Sequence, residues 1–292
     1  MVERIIVYGL IDGGIYALLA VGFTLIFGVA RIINLAHTAF YMLAAYLILT
    51  FANSLGLPLV LSVILSIIAV TIVGVFSYKL VIDPVRGHET TILIVTIALA
   101  MVIQETIANP SIGYGGGFQG VPSLISGYTK ILGTKVLYQQ ILTFGVVLII
   151  LLGTWALLMK TRLGIAIRST AQDREVANLM GINVTRTGMI TMAISVALAA
   201  IAGALVAPLQ VLGPHMWMHP LVMVLAVVVL GGLGSIKGSL LGAFILGFAE
   251  TMVVVLVPTG AYLKGAVALA VMLVVILIRP QGLFGISFEE ER

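Results

Sequence analysis

His215 and His219 stand four residues apart in PHMWMHP, the spacing that puts a two-histidine metal pair on one helix face. Pro214 and Pro220 frame the stretch and no carboxylate lies near it in sequence. The pattern therefore reads as an outer-surface turn with Trp217 at the membrane interface, and no metal is expected. Ser235 in GLGSIKG is not in a nucleophile elbow, which needs G-x-S-x-G. Nor is this a P-loop, which needs Gly-Lys-Ser/Thr after four spacer residues. The basic residues form no stripe with aromatic partners, which leaves nucleic-acid binding without support. With no cysteine, disulfides and thiolate metal sites are excluded. Three acids remain, Asp12, Glu105 and Glu250, each within or beside an apolar run where an ionisable group is costly and marks a functional position by default. Glu105 in VIQETIAN lies near the end of its run, whereas Glu250 in GFAETMVV is placed for a buried partner or a water-filled cavity. These residues offer binding and passage, not covalent catalysis, so the chain reads as a non-enzyme.

The elements that must position them are membrane helices. A chain that is 61% hydrophobic, 9% charged and of mean hydropathy +1.23 has more apolar surface than one soluble core of this length could hide. Apolar runs fall at 5 to 30, 37 to 53, 57 to 77, 91 to 109, 138 to 159, 188 to 212, 220 to 232, 236 to 257 and 262 to 278. They predict an all-α polytopic bundle of eight or nine segments, forming one membrane domain over 1–292 with no clear signal-peptide exit site. Arg31, Lys79, Arg86, Lys160, Arg162, Arg168, Arg174, Arg186, Arg279 and Arg292, ten of the fifteen basic residues, fall in alternate loops and the tail. The positive-inside bias puts those segments and the C-terminus in the cytoplasm and, with nine crossings, the N-terminus outside.

Two interruptions need protein or water around their exposed backbone. The first is ARIINLAHTAFYML, with Asn34, His37, Thr38 and Tyr41; the second is VLGGLGSIKGSLLGAFILG, with Gly231, Gly232, Gly234, Ser235 and Gly238. A discontinuous helix of this kind can point its N-terminal amides at an anionic group. Packing alone is the competing reading, because Gly234, Gly238 and Gly242, and likewise Ser239, Ala243 and Gly247, follow the small-xxx-small pattern. The segment 110–137 is a turn-rich outer loop, and it could be a linker or a docking surface.

Charge concentrates in RSTAQDREVANLMGINVTR, Arg168 to Arg186. Asp173 can cap a short helix that Gly181 stops, with Val176, Leu179 and Met180 on one face and Arg174 and Asn178 on the other. EVANLMG, Glu175 to Gly181, resembles the E-A-A-x-x-x-G loop of ABC importer permeases, with Val176 at the second position. Together with GVARIINLAHTAFYMLAAY, DPVRGHE, GIAIRSTAQDREVANLMGIN, VLGGLGSIKGSLLGAFILGFAE and RPQGLFG, it resembles the permeases of the high-affinity branched-chain amino-acid ABC importers, in particular their H-type subunit. Thr38 departs from the glycine that follows histidine in that family's N-F-A-H-G pattern.

The resemblance implies a multi-pass permease of a prokaryotic inner membrane. Its partners would be a second, similar permease, two cytoplasmic ATPases and an extracytoplasmic substrate-binding protein. ATP and Mg would sit on the ATPases and no cofactor on this chain. It further implies that Asp173, Arg174, Glu175, Val176, Ala177, Leu179, Met180 and Gly181 form a coupling helix seated on an ATPase. Asn34, His37, Thr38, Tyr41, Gly232, Gly234 and Ser235 are the candidate path residues, because helix breaks expose backbone to a cavity. The implied cargo is Leu, Ile or Val, with urea or short amides moved by related systems. An ion-coupled secondary transporter using Glu105 or Glu250, and a membrane scaffold that recruits a soluble protein, are the alternatives.

Overall fold

The computed structural model describes residues 1–284 apart from 86, 112, 132 and 280, so Arg86, Arg292 and part of the closing RPQGLFG lie outside the described residues. Each long apolar run folds into a helix because only a helix satisfies its own backbone in hydrocarbon. In chain order these are α1 (Val2–Ala30), α2 (His37–Leu49), α3 (Leu59–Ser77), α4 (Glu89–Ala108), α5 (Tyr138–Lys160), α6 (Arg162–Gln172), α7 (Arg174–Leu179), α8 (Val184–Val206), α9 (Met218–Gly231), α10 (Ile236–Leu256) and α11 (Lys264–Ile278). Seven helical stretches among the described residues are long and apolar enough to cross a membrane. The protein is thus an all-α, multi-pass membrane protein, with one small antiparallel hairpin, β1 (Tyr128–Ile131) and β2 (Thr134–Leu137).

The two remaining expected spans, α2 and α9, are short. α2 starts inside the bundle: the His37 Nε2 lies 3.0 Å from the Leu19 carbonyl, roughly 16 Å up α1 from its end at Ala30 at 1.5 Å per residue. Leaving α1 through Arg31, whose φ of 56° turns the chain sharply, residues 32–36 climb back into the core before α2 begins. α3 runs further than its apolar pattern predicts, through irregular helical turns as far as Val85.

Tyr8 at the start of α1 donates to the Lys135 carbonyl of the hairpin, which places the N-terminus on the side of the 110–137 loop. Ala30 at the other end of α1 meets Arg174 of α7, and Leu283 and Phe284 donate backbone bonds to Leu230 and Gly231 at the end of α9. The charged loop and the last described residues therefore share the opposite side, the arrangement that nine crossings require.

The core is a sandwich of α1 between α10 and α8, with α2 enclosed by α8, α3 and α4. Small residues let the backbones meet. A Cβ on Gly247 would sit 2.6 Å from the Gly13 Cα, and Thr24 and Ser239 join their hydroxyls at 2.6 Å across the α1–α10 seam. The second small-residue stripe of α10 faces α9, where a Cβ on Gly238 would collide with the Gly231 carbonyl and one on Gly242 would sit 2.8 Å from the Val227 oxygen. Gly238 and Gly242, and Ser239 and Gly247, pack as the small-xxx-small reading predicts. Gly234 does not belong to that contact: a Cβ there meets only Phe27, at 4.0 Å, and its glycine is required by a φ of +84°. Gly234→Ala is expected to cost about 1 kcal/mol through left-handed backbone strain. Gly238→Ala should cost more, and the thermal midpoints of the two detergent-extracted variants rank the effects.

Candidate functional site

The charged loop folds as two helices where the sequence pattern suggests one. α6 was not foreseen. Its signals are Thr161, whose hydroxyl caps the Gly164 N–H at 3.0 Å, and the i, i+4 series Leu163, Ile167 and Ala171. α7 follows the expected design. The Asp173 carboxylate accepts from the Glu175 and Val176 amides at 2.9 and 3.0 Å, Ile182 N–H reaches the Ala177 carbonyl, and Gly181 N–H reaches that of Asn178. With φ +84° at Gly181, that pair of bonds is a Schellman stop. Ala177 is buried, whereas Val176, Leu179 and Met180 are 53%, 85% and 79% exposed. Three apolar side chains thus project from a helix that is rigidly capped at both ends. Arg174 turns inward, and its Nη1 donates to the Ala30 carbonyl at 3.2 Å, just where α1 ends and the first break begins.

At that break Asn34, His37 and Thr38 are fully buried. The Asn34 Oδ1 accepts from the Ala36 amide at 3.1 Å and caps the climbing segment, while Nδ2 lies 3.8 Å from the Met192 sulfur. His37 bridges the Leu19 carbonyl and Ser195 Oγ, the latter at 3.4 Å, and its ring meets Phe23 edge-on with centroids 5.9 Å apart. The Asn34 and His37 side chains thus have protein partners and tie the break to α1 and α8, whereas the buried Thr38 hydroxyl has no hydrogen-bond partner. Tyr41, one turn further along α2, does line a cavity, and its hydroxyl accepts from Gln210 at 2.9 Å.

That cavity, of about 330 Å³, lies toward the hairpin side, walled by Asp12, Tyr16 and Leu19 of α1 together with Tyr41, Gln210, His219 and Lys264. A second cavity of about 290 Å³ lies at the other end of α1, walled by Phe27, Gly28, Arg31, Gly234 and Ser235. Asp12, Tyr16, Leu19, Phe23, Phe27 and Arg31 recur at three- and four-residue steps and so run down one face of α1. Phe23, 1% exposed, stands between the cavities, whose nearest wall residues Leu19 and Phe27 are about 12 Å apart along the helix. Gly234 and Ser235 line this second cavity, and Ser235 also caps α10 through the Gly238 amide at 3.1 Å. Gly232 is absent from both walls.

Glu250 is 1% exposed and heavily partnered: Tyr16 donates to Oε2 at 2.6 Å, and Lys264 Nζ lies 3.1 Å and His219 Nε2 3.6 Å from Oε1. This corrects the reading of PHMWMHP. His219 has a carboxylate beside it, supplied by α10, and Trp217 is not interfacial: it is 3% exposed and donates to Gln104 at 2.8 Å. His215 and His219 form no metal cluster, since the described residues contain no group of three or more His, Asp or Glu ligands that could hold an ion. Glu105 is exposed at the end of α4, as its position near the end of the run predicts. Sequence reasoning missed Tyr16, Lys264 and Gln210; the available signal was the pairing of Tyr16 with Asp12 at i, i+4 in an otherwise apolar span.

A family model described as the permease component of the branched-chain amino acid transport system matches residues 5–276. The chain belongs to this family. Among curated relatives of these permeases, it is 31% identical to the high-affinity branched-chain amino acid transport system permease protein BraD of Pseudomonas aeruginosa, over 96% of this chain and 94% of the relative. It is 28% identical to LivH of Escherichia coli over 95% and 93%, and 28% identical to a probable LivH of Methanocaldococcus jannaschii over 99% and 94%. In fold it resembles a chain of PsaBC from Streptococcus pneumoniae, solved with a Fab, at a TM-score of 0.53 and 16% identity over 94% of this chain and 91% of the other.

Proposed function

We propose that this permease is the membrane subunit of an ABC importer that carries branched-chain amino acids inward by ATP-coupled alternating access. The family match and the permease relatives support the cargo, and α7 carries the coupling. Three exposed apolar side chains on a doubly capped helix are what a groove on a soluble ATPase would take up. Arg174 carries movement of α7 to the end of α1, and α1 lines both cavities. An aromatic barrier at Phe23, with a cavity on either side, suits a path that opens to one face at a time.

The chain supplies no covalent chemistry. ATP and Mg act on two partner ATPases, a second permease completes the path, and an extracytoplasmic binding protein selects the cargo. The basic loops support a cytoplasmic position for α7 and the C-terminus, in a prokaryotic cell whose inner membrane holds the complex.

The test is reconstitution of the whole complex in liposomes, measuring leucine uptake and ATP hydrolysis with and without the binding protein. Leucine uptake that requires ATP and binding protein is expected. Uptake by the chain alone on a proton or sodium gradient would overturn the reading in favour of an ion-coupled carrier. Glu175 is exposed on the first turn of α7. Glu175→Arg reverses a charge at the interface and near a helix N-terminus, and is expected to lower uptake roughly tenfold while the chain stays membrane-inserted. Unchanged uptake would remove Glu175 from the interface.

A further inference from the structure

The cavity on the hairpin side has two unlike ends. One is ionic: Asp12, His219 and Lys264 line it, and Glu250 stands directly behind, bound to Lys264 and to the Tyr16 hydroxyl. Both Glu250 and Lys264 lie close enough to act on the charge of Asp12. The rest of the wall is aliphatic, from Ile15, Leu19, Val206, Val211, Met216 and Pro220. Tyr41 and Gln210 complete it with hydrogen-bond donors: the hydroxyl of Tyr41 accepts from Gln210, which leaves the phenolic proton and the second amide hydrogen for a guest.

The charges do not balance. Asp12 and Glu250 bring two carboxylates and Lys264 one ammonium, with His219 held 3.6 Å from the already paired Glu250 oxygen. Lys264 pairs with Glu250 at 3.1 Å and also acts on Asp12, so one ammonium is shared between two carboxylates and Asp12 is the one that faces the cavity. A poorly solvated carboxylate that shares its cation is costly, and an incoming ammonium removes that cost. The volume of about 330 Å³ is at the small end of the roughly 300–1,000 Å³ range of ligand pockets.

We infer that this cavity is a binding station for a zwitterionic α-amino acid with an aliphatic side chain. Asp12 receives the ammonium, Tyr41, Gln210 and His219 face the carboxylate, and Leu19, Val206 and Met216 enclose the side chain. Glu250, held by Tyr16 and Lys264, fixes the ionic end and competes with Asp12 for Lys264. Of the two helix breaks only the first contributes to this station, through Tyr41, while the outer part of α1 carries the group that receives the ammonium. The inference rests on the importer reading and assigns the point at which cargo leaving the binding protein first meets the membrane subunit.

The test uses the complete complex with its binding protein in liposomes and radiolabelled leucine, with uptake expressed per assembled complex. Asp12→Asn keeps the shape and removes the charge, and should lower leucine uptake roughly tenfold or more. Val206→Phe fills the aliphatic end and should lower it comparably, and this variant decides the matter if Asp12→Asn does not assemble. Leucine uptake within twofold of the parent complex in an assembled variant of either kind overturns the station. A parent complex that moves no leucine overturns the importer reading itself, so the two failures are distinct.

Discussion

Aspartate at both Leu179 and Met180 is expected to reduce ATP-driven leucine uptake by roughly 100-fold or more, with the chain still inserted and folded. The two side chains are 85% and 79% exposed, so their replacement removes almost no internal contact. The helix that carries them keeps its Asp173 cap, its Gly181 stop and its buried Ala177. What changes is the surface offered to a partner: two apolar side chains that would be desolvated become two carboxylates that would have to be buried without a cation. Loss of that magnitude corresponds to the removal of a central hot spot, which fits a six-residue helix whose only projecting apolar side chains are Val176, Leu179 and Met180. Co-purification with the ATPases measures the contact directly. A double variant that still retains its ATPases and its uptake would show that α7 rests on lipid headgroups instead.

α7 was legible in the sequence because its signals are local. A capping aspartate, an apolar i, i+3, i+4 set and a glycine stop lie within nine residues, and each works through hydrogen bonds or spacing inside that stretch. The long spans were legible for a similar reason, since hydrocarbon forces every apolar run of sufficient length into a helix. Glu250 could be singled out as buried and partnered, but its partners come from α1, α9 and α11, and no periodicity connects Tyr16, His219 and Lys264 to it. The same tertiary origin explains what local pattern could not show. Trp217 looks interfacial beside two prolines, yet Gln104 from α4 gives its indole a buried acceptor. Asn34, His37 and Thr38 look like path residues because they are polar in an apolar context. All three are buried, and Asn34 and His37 use their side chains to satisfy the backbone of a chain that re-enters the bundle. Composition tells that a break exists; only packing tells whether its polar groups face protein or a cavity.

Alanine in place of Gly247 is expected to leave little extractable folded protein, a larger effect than any single change at the cavity. Its Cβ would sit 2.6 Å from both the Cα and the N of Gly13, so the obstruction is main chain and cannot rotate away. α1 and α10 would have to separate along a seam that also holds the Thr24–Ser239 hydroxyl pair and brings Tyr16 to Glu250. Overpacking of this kind costs about 3 kcal/mol at the upper end of the usual range. In a membrane it is not offset by hydrophobic association between helices, because lipid solvates the same surfaces equally well. Gly153→Ala on α5 is the matched control: a Cβ there meets nothing within 4 Å, and this variant should match the parent in yield and thermal midpoint. Equal behaviour of the two variants would mean that the α1–α10 approach is not a fixed feature. If instead Gly247→Ala alone collapses, the close seam is what holds the Glu250 cluster together. Tyr16 of α1 could not keep its 2.6 Å bond to Glu250 of α10 across two helices that had been pushed apart.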